Sequence, residues 1–349
     1  MKRTRVLVVD DSPFVRDLIR LMIEGDPELE VAGEAANGLE AVEQVRQLRP
    51  DIVTMDIEMP VLDGLQAIER IMFEHAVPIL VVTTRGDAKT AYAAIAKGAL
   101  DLVMKPDVSL AAAREFTGRL RMLAKVKVVT HMSGKRSRRR EPAALPALGA
   151  EPAGVVVALA ASTGGPDALS IILSRLPRGF PAPIVIAQHI SAGFVSGMVG
   201  WLKTLAQVEV KVAADGEPLL PGVAYACPSE SHMRVGPSRR VVLVERQPRD
   251  IFHPSCDLLL ASAAESCGAK AVGVILTGMG NDGVAGMKRI REAGGATLAQ
   301  DEKTSLIFGM PKLAIESGCI DRVLPLEEIA AELVRVVIER GGGAARGGG

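Results

Sequence analysis

The chain has 349 residues, which suggests two domains of roughly 150 residues each. Its 41 Lys and Arg balance its 41 Asp and Glu, so no global charge draws it to nucleic acid or to an anionic membrane. Hydrophobic residues make up 48% and aromatic ones 3%, which implies sizeable cores packed from aliphatic side chains. The basic start, Met1 to Arg5, is followed only by Val6–Val9 before two aspartates, and so reads as a first strand and no signal peptide. No run of about eighteen apolar residues is present, so no membrane insertion is expected. Cys227, Cys256, Cys267 and Cys319 lack C-x-x-C or metal-finger spacing. They read as reduced thiols of a cytoplasmic protein.

Over residues 1–124, strand and helix patterns alternate five times. Strands are expected at Val6–Val9, Glu30–Ala32, Ile52–Met55, Ile79–Val82 and Leu102–Met104, with helical patterns between and after them. That rhythm predicts a doubly wound parallel sheet, whose chemistry gathers beyond the carboxyl ends of the strands. Those ends carry Asp10-Asp11, Asp56, Thr83-Thr84 and Lys105-Pro106. Three carboxylates converging on one edge repel unless a cation joins them, and Mg²⁺ is the natural hard, oxygen-loving guest. A lysine and a hydroxyl beside them complement a phosphoryl group on an aspartate. Solvated surface acids are the plainer reading of any single pair. They do not explain why the Asp, Thr and Lys each follow a separate apolar strand.

The motifs VLVVDDSP, TMDIEMPVLDG, VVTT and MKP resemble those of the two-component receiver domain, a flavodoxin-like fold. The resemblance implies phosphorylation of Asp56, with Mg²⁺ held by Asp10, Asp11, Asp56 and the backbone carbonyl of Glu58. It makes Thr83 the switch hydroxyl, Lys105 the phosphoryl contact, and the peptide before Pro106 cis. Many receivers carry an aromatic switch residue where this chain has Leu102, which puts a coupled aromatic flip in doubt.

Residues 125–153 change composition sharply: a basic run, His131 to Arg140, leads into an Ala/Pro-rich stretch. High charge and few large apolar residues predict a flexible linker. No helix-turn-helix pattern or interleaved aromatics accompany the basic run, so no nucleic-acid binding is expected.

Residues 154–340 predict a second α/β domain with a mainly parallel sheet, followed by a disordered Gly-rich tail over 341–349. Buried strands are expected at Val155–Leu159, Pro183–Ala187, Val208–Val212, Ala271–Leu276 and Ala296–Ala299. The middle, Val223–Ala226 and Arg239–Val244, reads as antiparallel excursions. Ser162 lies at a strand-to-helix turn, in GVVVALAASTGGP, where backbone amides at a helix start suit an oxyanion. His189 ends the next buried strand, and Asp282 follows Ala271–Leu276 after the glycine-rich turn TGMGNDG. Strands of one parallel sheet end on one edge, so the three can meet as nucleophile, base and orienting acid. Taken singly, Ser162 and Asp282 are as well explained as helix caps, and His189 as a hydrogen-bonded structural residue. His232 and His253 lie in the irregular middle and follow no buried strand.

ALAASTGGPDAL, IAQHI, LTGMGNDGVAGM and AQDEKTSLIFGMP, in this order behind a receiver, resemble the chemotaxis protein-glutamate methylesterase (CheB) family. Carried over, the nucleophile is Ser162, the base His189 and the acid Asp282, with the amides of Thr163 and Met279 as oxyanion contacts. The family's P-S-x-D motif often follows an Arg, where this chain has His253, so substrate contacts there can differ. The resemblance implies a serine hydrolase under phosphorylation control that converts receptor glutamyl methyl esters to glutamate and methanol. Deamidation of receptor glutamines is expected by the same acyl chemistry. The implied partners are methyl-accepting chemotaxis receptors and a chemotaxis histidine kinase; the esterase itself needs no cofactor. Two rivals are an adaptor that binds receptors without turnover and a DNA-binding response regulator. Intact Ser162, His189 and Asp282 argue against the first, and βα repeats in place of a recognition helix argue against the second.

Overall fold

A computed structural model describes residues 2–84, 88–128, 154–247 and 249–342. The chain forms two compact units, residues 1–139 and 140–349. Most of the expected linker and the tail beyond residue 342 lie outside the described residues.

The first unit runs β1 (Thr4–Val9), α1 (Pro13–Glu24), β2 (Leu29–Ala35), α2 (Gly38–Leu48), β3 (Ile52–Met55), α3 (Gly64–Glu74), β4 (Ile79–Thr83), α4 (Ala88–Ala96), β5 (Asp101–Met104) and α5 (Leu110–Leu123). Its strands are parallel, in the order β2-β1-β3-β4-β5. Fully buried apolar runs such as Val6–Val9 and Ile79–Val82 are what a sheet covered on both faces requires. The chain steps outward from β1 to β2 and returns to β3. Asp10 and Asp56 therefore lie beyond adjacent strands, at the reversal where such sheets gather ligands.

The second unit runs β6 (Val156–Ala161), α6 (Gly165–Arg175), β7 (Ile184–Gln188), α7 (Val195–Lys203), β8 (Glu209–Val212), β9 (Val223–Ala226), β10 (Ser231–Gly236), β11 (Arg240–Glu245), α8 (Cys256–Cys267), β12 (Ala271–Ile275), α9 (Val284–Glu292), β13 (Ala296–Gln300), α10 (Met310–Glu316), β14 (Arg322–Leu324) and α11 (Leu326–Gly341). Seven strands form one parallel sheet, β14-β13-β12-β6-β7-β9-β8. Val156, Ala158 and Ala160 belong to a buried cluster with Leu259, Leu260 and Ala263 of α8. The alternation of a strand sends Val157, Leu159 and Ala161, all fully buried, to the other face. Small alanines on β6 leave room for the large leucines of α8.

Two expectations change. Val223–Ala226 is a parallel strand between β7 and β8, and the antiparallel strand pair among the described residues is β10 with β11. The ten residues between β8 and β9 return the chain so that β9 runs parallel to β8 instead of turning back as a hairpin. The Lys105–Pro106 peptide is trans; among the described residues the cis peptide is His253–Pro254.

Candidate active site

Ser162, His189 and Asp282 follow three neighbouring strands, with β6 between β7 and β12. Register places Ala161 opposite Gln188, so Ser162 and His189 are the next pair along. The His189 amide donates to Ala161 O at 2.9 Å, and the Ser162 amide to Thr277 O at 3.0 Å. Gln188 Nε2 donates to the Ser162 carbonyl at 2.8 Å, which fixes the backbone beneath the serine.

Two glycines make the turn possible. Gly164 takes φ +77 at the start of α6, a left-handed conformation costly for other residues. A Cβ on Gly278 would stand 2.6 Å from Ser162 Cβ and 2.5 Å from Met310 Sδ, so only a bare backbone passes there. Among the described residues neither the Thr163 nor the Met279 amide donates to a protein acceptor. Thr163 is held through its carbonyl, which accepts from Thr277 Oγ1 at 3.0 Å.

Asp282 is buried and accepts from four donors. His189 Nε2 lies 2.8 Å and the Cys256 amide 2.7 Å from Oδ2; the Asp257 amide lies 2.9 Å and Ser255 Oγ 3.3 Å from Oδ1. Burial pushes this carboxyl up, but the bond and charge of His189, with the amides of Asp257 and Cys256, outweigh it. The result lies below the ordinary carboxylate value. Two of those amides open α8, whose positive end also favours the ionised form. A carboxylate only accepts, so Nε2 of His189 carries the proton. Phe252 stacks on the imidazole with centroids 5.2 Å apart and rings 10° from parallel. Among the described residues no hydrogen bond joins Ser162 Oγ to the His189 ring. Such bonds commonly close only with substrate bound.

Several contacts were not visible in the sequence. Asp257 accepts from the amides of Gly283 (2.9 Å) and Gly286 (2.7 Å) at the start of α9. Asp282 and Asp257 thus cap each other's helices. Asp282 caps α8 and not its own helix, which sequence order cannot show. Cys256 Sγ lies 3.5 Å from His189 Nε2 and is fully buried, and desolvation pushes its thiol well up, away from the thiolate form. His253 offers its carbonyl to the Ile190 amide at 3.2 Å.

In the first unit, Asp10, Asp11 and Asp56 hold carboxylate oxygens within 4.8 Å of one another. Asp10 and Asp56 are buried, whereas Asp11 is exposed. Lys105 Nζ bridges Asp10 Oδ2 (2.8 Å) and Asp56 Oδ2 (2.9 Å). The Asp56 carboxyl is pushed up by burial and by Asp10, against the downward pull of Lys105. Thr83, fully buried, ends β4, and its carbonyl accepts from the Lys105 amide at 2.9 Å. Glu58 lies in the loop directly after Asp56. Leu102 is buried in β5. No helix among the described residues is long and apolar enough to cross a membrane.

Comparison with known proteins agrees across both units. Residues 157–333 match the family described as CheB methylesterase, and residues 6–113 the response regulator receiver domain. A protein of Paramagnetospirillum magneticum named protein-glutamate methylesterase/protein-glutamine glutaminase 3 is 47% identical over 338 residues, covering 95% of each chain. Its counterpart numbered 2 in Anaeromyxobacter dehalogenans is 45% identical, covering 94% of this chain and 96% of that one. The solved CheB methylesterase catalytic domain of Thermotoga maritima matches with TM-score 0.50 and 38% identity, over 52% of this chain and 98% of that one. With a receiver at one end, a hydrolase domain at the other and relatives matching nearly its full length, the chain belongs to the CheB methylesterase family.

Proposed function

We propose that the chain removes methyl groups from γ-glutamyl methyl esters of methyl-accepting chemotaxis receptors, and deamidates receptor glutamines, with Ser162, His189 and Asp282 as its triad. The observation that carries this reading is the His189 Nε2 to Asp282 Oδ2 bond of 2.8 Å. It commits Nε2 to the acid and leaves the Nδ1 lone pair as the base. Nδ1 takes the Ser162 proton as Oγ attacks the ester carbonyl, and the amides of Thr163 and Met279 receive the oxyanion. The proton passes to the departing methoxide. Water, deprotonated by Nδ1, then attacks the acyl-enzyme and releases glutamate.

The receiver supplies control. Asp56 accepts a phosphoryl group from a chemotaxis histidine kinase, with Thr83 and Lys105 meeting the phosphoryl oxygens. The oxygen-only donor set of Asp10, Asp11 and Asp56 fits Mg²⁺, which the backbone carbonyl of Glu58 would complete. When bound, Mg²⁺ supplies the charge that neutralises the transferring phosphoryl group. Lys105, already between the two buried carboxylates, is placed to follow the new negative charge. The domain limits we adopt are 1–124 for the receiver, 125–153 for the linker and 154–340 for the esterase. The protein works in the cytoplasm, with no nucleic-acid partner and no insertion into the membrane. Methanol release from methylated receptor membranes, with and without a small-molecule phosphodonor, tests the whole reading. Receptor binding without methanol release would make the chain an adaptor.

A further inference from the structure

We propose that His232 is a positioning residue for the hydrolytic centre, clamping both ends of the segment that frames His189 and Asp282. The inference rests on the triad reading above. Residues 250–256 join the β10–β11 hairpin to α8 and touch the site at successive points. The Phe252 ring stacks on His189, the His253 carbonyl holds the Ile190 amide, and Ser255 Oγ and the Cys256 amide both donate to Asp282.

A single buried imidazole, on β10, secures this segment from behind. His232 Nδ1 accepts from the Ser255 amide at 2.9 Å, at the far end of the segment. His232 Nε2 lies 2.8 Å from Asp250 Oδ2, at its near end. A backbone N–H can only donate, so Nδ1 is bare and the proton sits on Nε2, pointing at Asp250. Asp250 is fixed in turn by the Gln247 amide at 2.6 Å. The ring thus sets where the Ser255 backbone lies, and with it the two bonds from Ser255 Oγ and the Cys256 amide that aim Asp282. His232 touches no reacting atom. Its effect passes through the angle at which Asp282 presents itself to His189, and small misplacements of that kind can cost about a hundredfold in rate.

The test uses the full chain and three variants checked for folding by thermal melting. In His232→Asn the amide oxygen falls near the place of Nδ1 and still serves the Ser255 amide. Its kcat should stay within about threefold of wild type. In His232→Gln the amide reaches the place of Nε2 and Asp250 but leaves the Ser255 amide without its acceptor. Its kcat should fall roughly 10- to 100-fold with KM within about twofold. His232→Leu should lose at least as much. If the leucine variant fails to fold, the split between Asn and Gln still decides. A glutamine variant with wild-type kcat, equal losses in Asn and Gln, or a rise in KM alone would overturn the clamp. Nitrogen-15 NMR of the wild type should show His232 protonated on Nε2 and bare on Nδ1; a proton on Nδ1 overturns the proposal whatever the kinetics. A wild type that releases no methanol sinks the esterase reading, while the tautomer still judges the clamp.

Discussion

Asp56 and Asp282 are both buried carboxylates beyond a strand of a parallel sheet, yet their surroundings push them in opposite directions. Asp56 shares one lysine with Asp10 and accepts the backbone amide of Ile57, and burial leaves its carboxyl raised. Asp282 accepts from four donors, and its carboxyl is lowered despite burial. A phosphoryl acceptor must change its bonding partners during its cycle, and a shared ammonium can be drawn away. An orienting acid must never change them, and fixed amides cannot leave. The same edge of the same kind of sheet is thus built loosely around Asp56 and rigidly around Asp282, as the proposed switch and triad roles require.

The comparison can be broken at several points. The largest effect is expected at Ser162. Ser162→Ala should lower methanol release on the order of a million-fold while the protein stays folded. A folded variant with substantial turnover would place the nucleophile elsewhere. Asp282→Asn should cost about ten-thousand-fold, because an amide at this position no longer enforces the proton on Nε2 of His189. Near-normal turnover would transfer the acid's role to another residue, with Asp257 the next to test.

On the loose side, Asp56→Asn should leave basal turnover intact and abolish stimulation by a phosphodonor. Stimulation that survives would mean a different acceptor. A fragment beginning at Gly154 should be faster than the unphosphorylated full chain, as expected if the receiver holds the esterase back. A folded fragment no faster than the full chain would recast the receiver as a recruiter of receptors.

The smallest effect is on stability. Asp56 has a folded-state pKa raised above the ordinary value, so its contribution is fully present below the unfolded pKa and lost as pH rises through the folded one. Asp56→Asn removes a disfavoured charge and should raise the melting temperature of the receiver by up to roughly 5 °C at pH 7 without metal. The gain should vanish as pH falls to the ordinary carboxylate range, where Asp56 is itself neutral. Asp282 carries the reverse sign: its lowered pKa gives stability above the unfolded value that is lost as pH falls through the folded one. Calorimetry across pH checks both signs, and a receiver melting point unmoved by Asp56→Asn would count against the strained carboxylate.

Groups placed by strand ends were legible in the sequence. Asp10, Asp56 and Ser162 each follow an apolar run directly, and His189 follows one after Gln188; the edge of a parallel sheet does the rest. What failed was pairing over distance. Val223–Ala226 has the same composition as a hairpin strand, and only the crossover before it makes it parallel. β14, three residues at the sheet edge with Arg322 and Val323 exposed, carries no hydrophobic run to announce it. The mutual capping of α8 and α9 by Asp282 and Asp257 joins residues 25 to 29 apart, where no local spacing rule operates. His232 looked inert because it follows no buried strand; its meaning lies in the two ends of a segment it touches only in three dimensions.

The order of strands in the second sheet has a consequence for how the protein is made. β6 leads into Ser162 and is the first strand of its sheet to leave the ribosome, but one of its neighbours is β12. The His189–Asp282 pair spans 93 residues of chain. A growing chain that has exposed Ser162 and His189 still lacks both the carboxylate proposed to orient the imidazole and the strand that leads into the Met279 turn. At about 5–20 residues per second, it passes several seconds with the proposed nucleophile made and its activating pair incomplete. If Asp282 is the orienting acid, a product terminated before residue 282 is a silent protein, and hydrolytic activity reports that synthesis has passed β12 and the turn after it.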